Sequence, residues 1–334
     1  MEICYIVSVR DNSLWNMETL TEPLTPTKMV NSPFKWVGGK SRLRKAIISL
    51  LPQHTCYVEP FAGAAWVLFG KTPSDVEVLN DIDQELVTFF RVVKENPQEL
   101  IESFKWELVS RSEFDRLANL DPHQLTEVQR AHRFYYLIMA GWGGELDYPR
   151  FATSITDGGH GNRLIGALKT LESRLEPVHN RLRTVIIENL SWEECIDRYD
   201  RQGVVFYLDP PYPGNGCNYA HNMRSWDEHE KLIARLKKVR SKWILSSYDI
   251  PQMRSLFPDN FIISVQSSSG MRVKKDDNSR VLNNEILITN YSPKMEPVYS
   301  KTQHCQLTMA LEQGVRERES LYRTKGKFFV LRTS

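Results

Sequence analysis

The run Val204-Val205-Phe206-Tyr207-Leu208 constrains the fold more than any other stretch, because it is apolar at every position and ends directly on Asp209-Pro210-Pro211-Tyr212. Successive side chains of a strand point to opposite faces, so a strand that is apolar throughout must be covered on both sides. That places it in the middle of a sheet sandwiched between helices. Six further runs, at 56–59, 76–80, 185–189, 243–247, 261–266 and 285–290, are rich in β-branched and aromatic residues and bounded by turn formers. Helical spacings lie between some of them, such as Leu43, Ile47 and Leu50 after Lys40, and Leu232, Ile233, Leu236 and Val239 within 227–240. Seven strands alternating with helices predict a doubly wound α/β domain.

The segment from about 84 to 183 interrupts the alternation, since its apolar spacing is helical throughout. It is read as an inserted helical module, with Asp83 capping the helix that opens it. The expected organisation is an extension at 1–30, an α/β domain made of 31–84 and 184–291, the module at 85–183, and a tail at 292–334 with scattered basic residues. With 334 residues, 41% of them hydrophobic, the chain can fill a large core. A formal net charge of +2 argues neither for nor against a nucleic-acid partner. Five scattered cysteines without a C-x-x-C pair argue against a disulfide framework and a zinc site, so no metal is expected and a reducing, cytoplasmic setting is the default. No apolar stretch approaches the roughly 18 residues of a membrane span. A monomer or weak dimer is expected.

Asp209-Pro210-Pro211-Tyr212 is the sharpest chemical signal. In open α/β sheets the ligand crevice lies outside the carboxyl ends of the strands, and two consecutive prolines fix a rigid turn there. The tetrapeptide is a chance event on the order of one in a thousand for such a chain. An aromatic exocyclic amine is a poor nucleophile because its lone pair is delocalised into the ring. An acceptor carboxylate on one N–H and a backbone carbonyl on the other favour the pyramidal geometry in which the lone pair points outward. Asp209 and the Pro210 carbonyl can provide that pair. Pro211 has no N–H to occupy the Pro210 carbonyl, and Tyr212 offers a ring on which a base could stack.

In blocks that recur in the same order, the chain resembles the Dam-like class of DNA adenine methyltransferases. The blocks are Pro33-Phe34-Lys35-Trp36-Val37-Gly38-Gly39-Lys40, Tyr57-Val58-Glu59-Pro60-Phe61-Ala62-Gly63, Leu79-Asn80-Asp81-Ile82-Asp83, Asp209-Pro210-Pro211-Tyr212, and Glu285-Ile286-Leu287-Ile288-Thr289-Asn290-Tyr291. A rival reading of Gly39-Lys40-Ser41 as the end of a phosphate-binding loop fails, because the first glycine of such a loop would fall on Phe34. The resemblance implies a Rossmann-like, seven-stranded methyltransferase sheet with an inserted helical target-recognition domain. It implies S-adenosylmethionine as cofactor, held by Trp36, Lys40, Glu59, Pro60, Phe61, Gly63, Asp81 and Asp209, with Asp81 accepting from the ribose hydroxyls. Asp209, Pro210 and Tyr212 are the implied catalytic residues. Where the family usually has a further glycine, this chain has Ala65.

The implied partner is double-stranded DNA, with the target adenine flipped into the cleft above Asp209. The glycine cluster 141–144, with Trp142, Asp147, Tyr148 and Arg150, is the candidate base-reading loop, and Arg272 and Lys274, in a basic loop at 270–280, are candidate phosphate contacts. N4-cytosine methylation shares the amine chemistry, and an inactive DNA-binding regulator would keep the fold. Aspartate rather than serine at 209 favours adenine by resemblance, and intact Trp36, Lys40, Asp81, Asp209 and Tyr212 argue against decay.

Overall fold

The computed structural model describes residues 29–36, 38–141, 149–153, 161–212, 223, 225–273, 280–293, 307–308, 323–324 and 327–328; at 267–273, at 280–283 and beyond 293 it describes the backbone alone. The chain begins with α1 (Arg44–Leu50), β1 (Cys56–Glu59), α2 (Trp66–Gly70) and β2 (Val76–Asn80). Then come α3 (Gln84–Glu95), α4 (Pro97–Ser103), α5 (Arg111–Ala118), α6 (Glu127–Ala140), α7 (Arg163–Leu168) and α8 (Leu171–Leu182). The sheet resumes with β3 (Val185–Glu188), α9 (Trp192–Tyr199), β4 (Val204–Leu208), α10 (Trp226–Leu236), β5 (Lys242–Tyr248), α11 (Pro251–Ser255), β6 (Phe261–Val273) and β7 (Arg280–Thr289).

Polar residues set the helix starts where the sequence offers them. Asp83 caps α3 by accepting from the Glu85 and Leu86 amides, as expected. Reciprocal capping boxes open α6 (Thr126 with Gln129), α9 (Ser191 with Glu194) and α10 (Ser225 with Glu228).

The seven strands lie in the order β3-β2-β1-β4-β5-β7-β6, and the pair Leu307–Thr308 adds a short eighth strand, β8, beside β6. Neighbours from β3 through β5 are parallel, while β7 runs antiparallel to both β5 and β6. The apolar run at 204–208 is buried at all five positions. Val205 and Tyr207 join one core, while Phe206 and Leu208 join the other. The first core is continuous with α3, α4, α5, α6, α7 and α8, so the helices between β2 and β3 share apolar packing with one face of the sheet. The second lies under α9, α10 and α11.

Strand bounds depart from expectation mainly at the β6–β7 hairpin. The sequence predicts strands at 261–266 and 285–290 with a loop between; instead Gln266, Ser267 and Ser268 pair with Asn284, Asn283 and Leu282, and the ladder resumes at Val273 with Arg280 after a register shift. Serine and asparagine have little strand preference of their own, but a neighbouring strand that satisfies their backbone groups overrides it. Arg272 therefore lies in the backbone of β6 rather than in a loop. At the other end of β7, Asn290 accepts from the Trp243 amide and donates to the Ser241 carbonyl, and Tyr291 donates to the Leu50 carbonyl. These bonds fasten β7 to the start of β5 and the end of α1.

Ala65, at the N-terminus of α2, has φ +51° and is buried. That left-handed conformation suits glycine, which explains why a glycine is usual in the resembling sequences. Ala65→Gly is expected to raise unfolding free energy by about 1 kcal/mol, less what the lost methyl contributed, measured as a higher urea midpoint. An unchanged or lower midpoint would show the alanine to be unstrained.

Candidate active site

Strand order reverses direction between β1 and β4, which pair in parallel from Cys56 with Val204 to Val58 with Phe206. Such a reversal opens a crevice at the carboxyl ends of the two strands. Glu59 and Pro60 stand at the end of β1, Asp81 follows β2, and Asp209 follows β4. Residues far apart in sequence thus meet at one edge of the sheet.

The Asp209 side chain is 19% exposed and pairs through Oδ1 with the Lys40 ammonium at 2.8 Å. Lys40 Nζ also donates to the Gly38 carbonyl at 2.8 Å, stands 3.7 Å from Glu285 Oε2, and lies 4.9 Å from the centre of the Tyr212 ring. Burial pushes Asp209 above the ordinary aspartate value, opposed by Lys40. Burial pulls Lys40 down, but Asp209 and Glu285 more than offset it, so the ammonium is held charged. Tyr212 is buried; its hydroxyl donates to Glu285 Oε2 at 2.9 Å and its ring meets Tyr248 edge-on at 4.6 Å.

Glu59 is buried, and its Oε1 accepts from the Tyr57 hydroxyl at 2.7 Å and the Leu68 amide at 2.8 Å. Burial raises its pKa to about 8 against the Tyr57 hydroxyl, the Leu68 amide and Lys71, so the carboxyl is largely protonated at neutral pH. Pro60 presents its carbonyl to Asn80 Nδ2 at 2.9 Å, and Asn80 also exchanges bonds with the Leu190 backbone, which fixes the end of β2 against the β1 turn. Phe61 packs against the second core. Asp81 accepts from the Gly63 amide at 2.9 Å and the Asp83 amide at 3.0 Å. Gly63 has φ +46°, and a Cβ there would stand 3.1 Å from Trp36 Cδ1. The Trp36 ring, stacked on Phe134, thus lies directly over the glycine turn.

The structure gathers the expected residues into two adjoining groups. Lys40, Asp209 and Tyr212 touch one another, and Trp36, Gly63 and Asp81 form a second, joined group. Lys40 and Asp209, both expected at the cofactor, are paired with each other. Arg150 is exposed beside the Gly141–Phe151 bridge. Trp142, Asp147, Tyr148 and Lys274 lie outside the described residues. Sequence reading gave no role to Glu285, Tyr57, Tyr207 and Tyr248, although Tyr57 and Glu285 each open one of the recurring blocks. Among the described residues no cluster of histidine, cysteine or acidic groups is suited to a metal ion, and no helix is long and apolar enough to cross a membrane.

Residues 36–271 match the family described as D12 class N6 adenine-specific DNA methyltransferases. The chain belongs to this family. The match takes in β1 to β5, most of β6 and the Asp209 turn, and the chain is an adenine-specific DNA methyltransferase. A type II methyltransferase of Lactococcus lactis subsp. cremoris is 27% identical over 288 residues, covering 80% of this chain and 98% of the relative. A type II methyltransferase of Methanocaldococcus jannaschii is 27% identical over 294 residues, covering 78% and 99%. The DNA adenine methylase of Salmonella typhi is 27% identical over 270 residues, covering 73% and 92%. The D12 match begins at Trp36 and extends past the Asp209 turn, so it includes both groups of site residues.

Proposed function

We propose that this D12-class enzyme takes its methyl group from S-adenosylmethionine and gives it to N6 of an adenine swung out of double-stranded DNA. The observation that carries the reading is Asp209, paired with Lys40 at the carboxyl end of a central strand where the strand order reverses. The two groups suit the two reactants. Asp81 is a strand-end carboxylate held by the Gly63 and Asp83 amides, the residue type a ribose diol requires, and the lack of a side chain at Gly63 lets the Trp36 ring lie against the turn. Glu59, at the end of β1, is a second carboxyl on the same side of the sheet, and a cationic amine beside it would favour its ionised form.

Bound there, S-adenosylmethionine supplies a methyl group on a sulfonium whose departure leaves a neutral thioether. The protein's part is to hold the acceptor. Asp209 takes one N–H of the adenine amine and the Pro210 carbonyl takes the other, so the nitrogen lone pair points at the methyl carbon; the new C–N bond forms as the S–C bond breaks, and the alkylated amine then releases one proton. Lys40 covers one face of Tyr212, so stacking of a base on that face requires the ammonium to move aside. The helices at 85–183 serve as the target-recognition module, with Trp142 and Arg150 as base-reading candidates and Arg272 and Lys274 as phosphate contacts.

Labelled S-adenosylmethionine incubated with the protein and varied duplex DNA, followed by mapping of the modified bases, tests this reading. Label on adenine N6 at a defined sequence is the expected result. Label on cytosine, or none on any DNA, would overturn it.

A further inference from the structure

Four ionisable acids and bases and three tyrosines crowd the acceptor site, and their arrangement leaves the Glu285 carboxylate without a role in the reaction as described. Asp209 is approached by Lys40 from the segment before α1, by Glu59 from β1, by Tyr207 from β4, by Tyr212 from the turn after β4, and by Glu285 from β7. Tyr248 on β5 stands against Tyr212 and within electrostatic reach of Lys40. Lys40 is the one cation among them.

Lys40 poses a problem for catalysis. An ammonium bonded to Asp209 Oδ1 favours the ionised carboxylate against burial, but it also draws electron density from the group that must accept the adenine N–H. If the ammonium simply withdrew, it would be a buried charge without a partner, at a cost of several kcal/mol. Glu285 resolves the conflict. It is buried, it stands 3.7 Å from Lys40 Nζ, and its Oε2 is fixed by the Tyr212 hydroxyl at 2.9 Å. The β5–β7 register sets Glu285 opposite Tyr248, so strand pairing rather than side-chain choice holds it beside the lysine. A movement of about 1 Å would carry the ammonium from one carboxylate to the other.

We propose that Glu285 is a positioning residue for methyl transfer, sharing the Lys40 ammonium with Asp209 and taking the larger share of it when an adenine amine docks on Asp209. This rests on the functional reading above, because it assigns Asp209 to the amine. Glu285 touches neither adenine nor methyl donor; it acts through Lys40 and, by its bond to the Tyr212 hydroxyl, on the ring that the lysine would uncover as it moves.

The test is the single-turnover methylation rate on a duplex carrying the mapped target, measured against pH for the wild type, Glu285→Gln, Glu285→Asp and Lys40→Gln. Donor affinity by calorimetry and thermal unfolding are followed in parallel. Glu285→Gln is expected to lower the plateau rate roughly 10- to 100-fold with donor affinity little changed. It should also move the acid limb to lower pH, since one negative neighbour of Asp209 is gone and Lys40 is committed to it. Lys40→Gln should move that limb to higher pH. Glu285→Asp keeps the charge and should hold the limb where the wild type has it, and it carries the test if the glutamine variant does not fold. A lowered rate with an unmoved acid limb would assign Glu285 a merely structural part and overturn the proposal, as would a glutamine variant indistinguishable from the wild type. A wild-type protein that methylates no DNA would instead sink the functional reading on which the proposal stands.

Discussion

Asp209→Ala is expected to lower the single-turnover rate of methyl transfer by at least about 100- to 1000-fold, the loss seen when one preorganised polar partner is removed from a reacting group. The argument rests on what alanine removes. The adenine amine loses its ionic acceptor and retains only the Pro210 carbonyl, which cannot by itself hold both N–H groups in the pyramidal arrangement. The fold should survive, because Lys40 keeps the Gly38 carbonyl at 2.8 Å and has Glu285 at 3.7 Å to receive its charge. Asp209→Asn is a sharper comparison. It leaves a neutral oxygen acceptor in nearly the same place and should retain more activity than alanine but well below the wild type, since acceptors that carry charge bind about twice as strongly. Donor affinity should change little in either variant, because Asp81 and Gly63 sit in the other group of residues. The measurement is incorporation of labelled methyl into duplex DNA with enzyme in excess. An alanine variant within tenfold of the wild type would remove Asp209 from the chemistry.

Much of the site was legible because its residues are tied to backbone features that leave a mark in sequence. A central strand must be apolar at every position, and 204–208 is; the turn after it must be rigid, and Pro210 and Pro211 make it so. Gly63 and Asp81 were readable as a glycine turn and a strand-end acid, and the structure joins them by one hydrogen bond. Partnership across the chain left no such mark. Nothing near Lys40 announces that its ammonium will meet Asp209, 169 positions away, because that contact depends on where the segment before α1 lies over the sheet. Glu285 was harder still. An acid at the head of an apolar strand reads as the exposed end of that strand, yet β7 begins five residues earlier, at Arg280, and Glu285 is buried in its middle. The misjudged strand end and the missed residue have one cause: the hairpin takes its length from pairing with β6, and pairing is not a property of either strand alone.

The largest stability effect is expected away from the crevice, at Glu77. This β2 side chain is 1% exposed and is bonded by Lys71 at 2.6 Å and by both terminal nitrogens of Arg181, at 2.5 and 2.7 Å. Arg181 comes from α8, the last helix before β3, and its guanidinium also donates to the Leu68 carbonyl at 2.9 Å. The Leu68 amide in turn holds Glu59, so the network reaches from the helical segment through α2 to the floor of the active site. A buried ion cluster adds little net stability when complete, but removing one sign from it leaves the other stranded in a medium that solvates charge poorly. Glu77→Gln strands two cations and should cost about 3–5 kcal/mol, a large part of the roughly 5–15 kcal/mol that holds a domain folded. The expected reading is a lower urea midpoint with an unchanged slope. Arg181→Met in the glutamine background should cost less than the two single changes summed, because each alone leaves the other's partner unpaired. Acidity should act the same way. Burial opposes the Glu77 charge, but Arg181 and Lys71 outweigh it and hold its pKa below the ordinary 4.5, so its contribution is complete above that value and is lost as pH falls through the depressed one. The wild type should therefore lose stability below about pH 4.5 more steeply than the glutamine variant, which has no carboxyl to protonate. Parallel acid profiles for the two proteins, or a glutamine variant within about 1 kcal/mol of the wild type, would mean that the three charges are solvated rather than locked together.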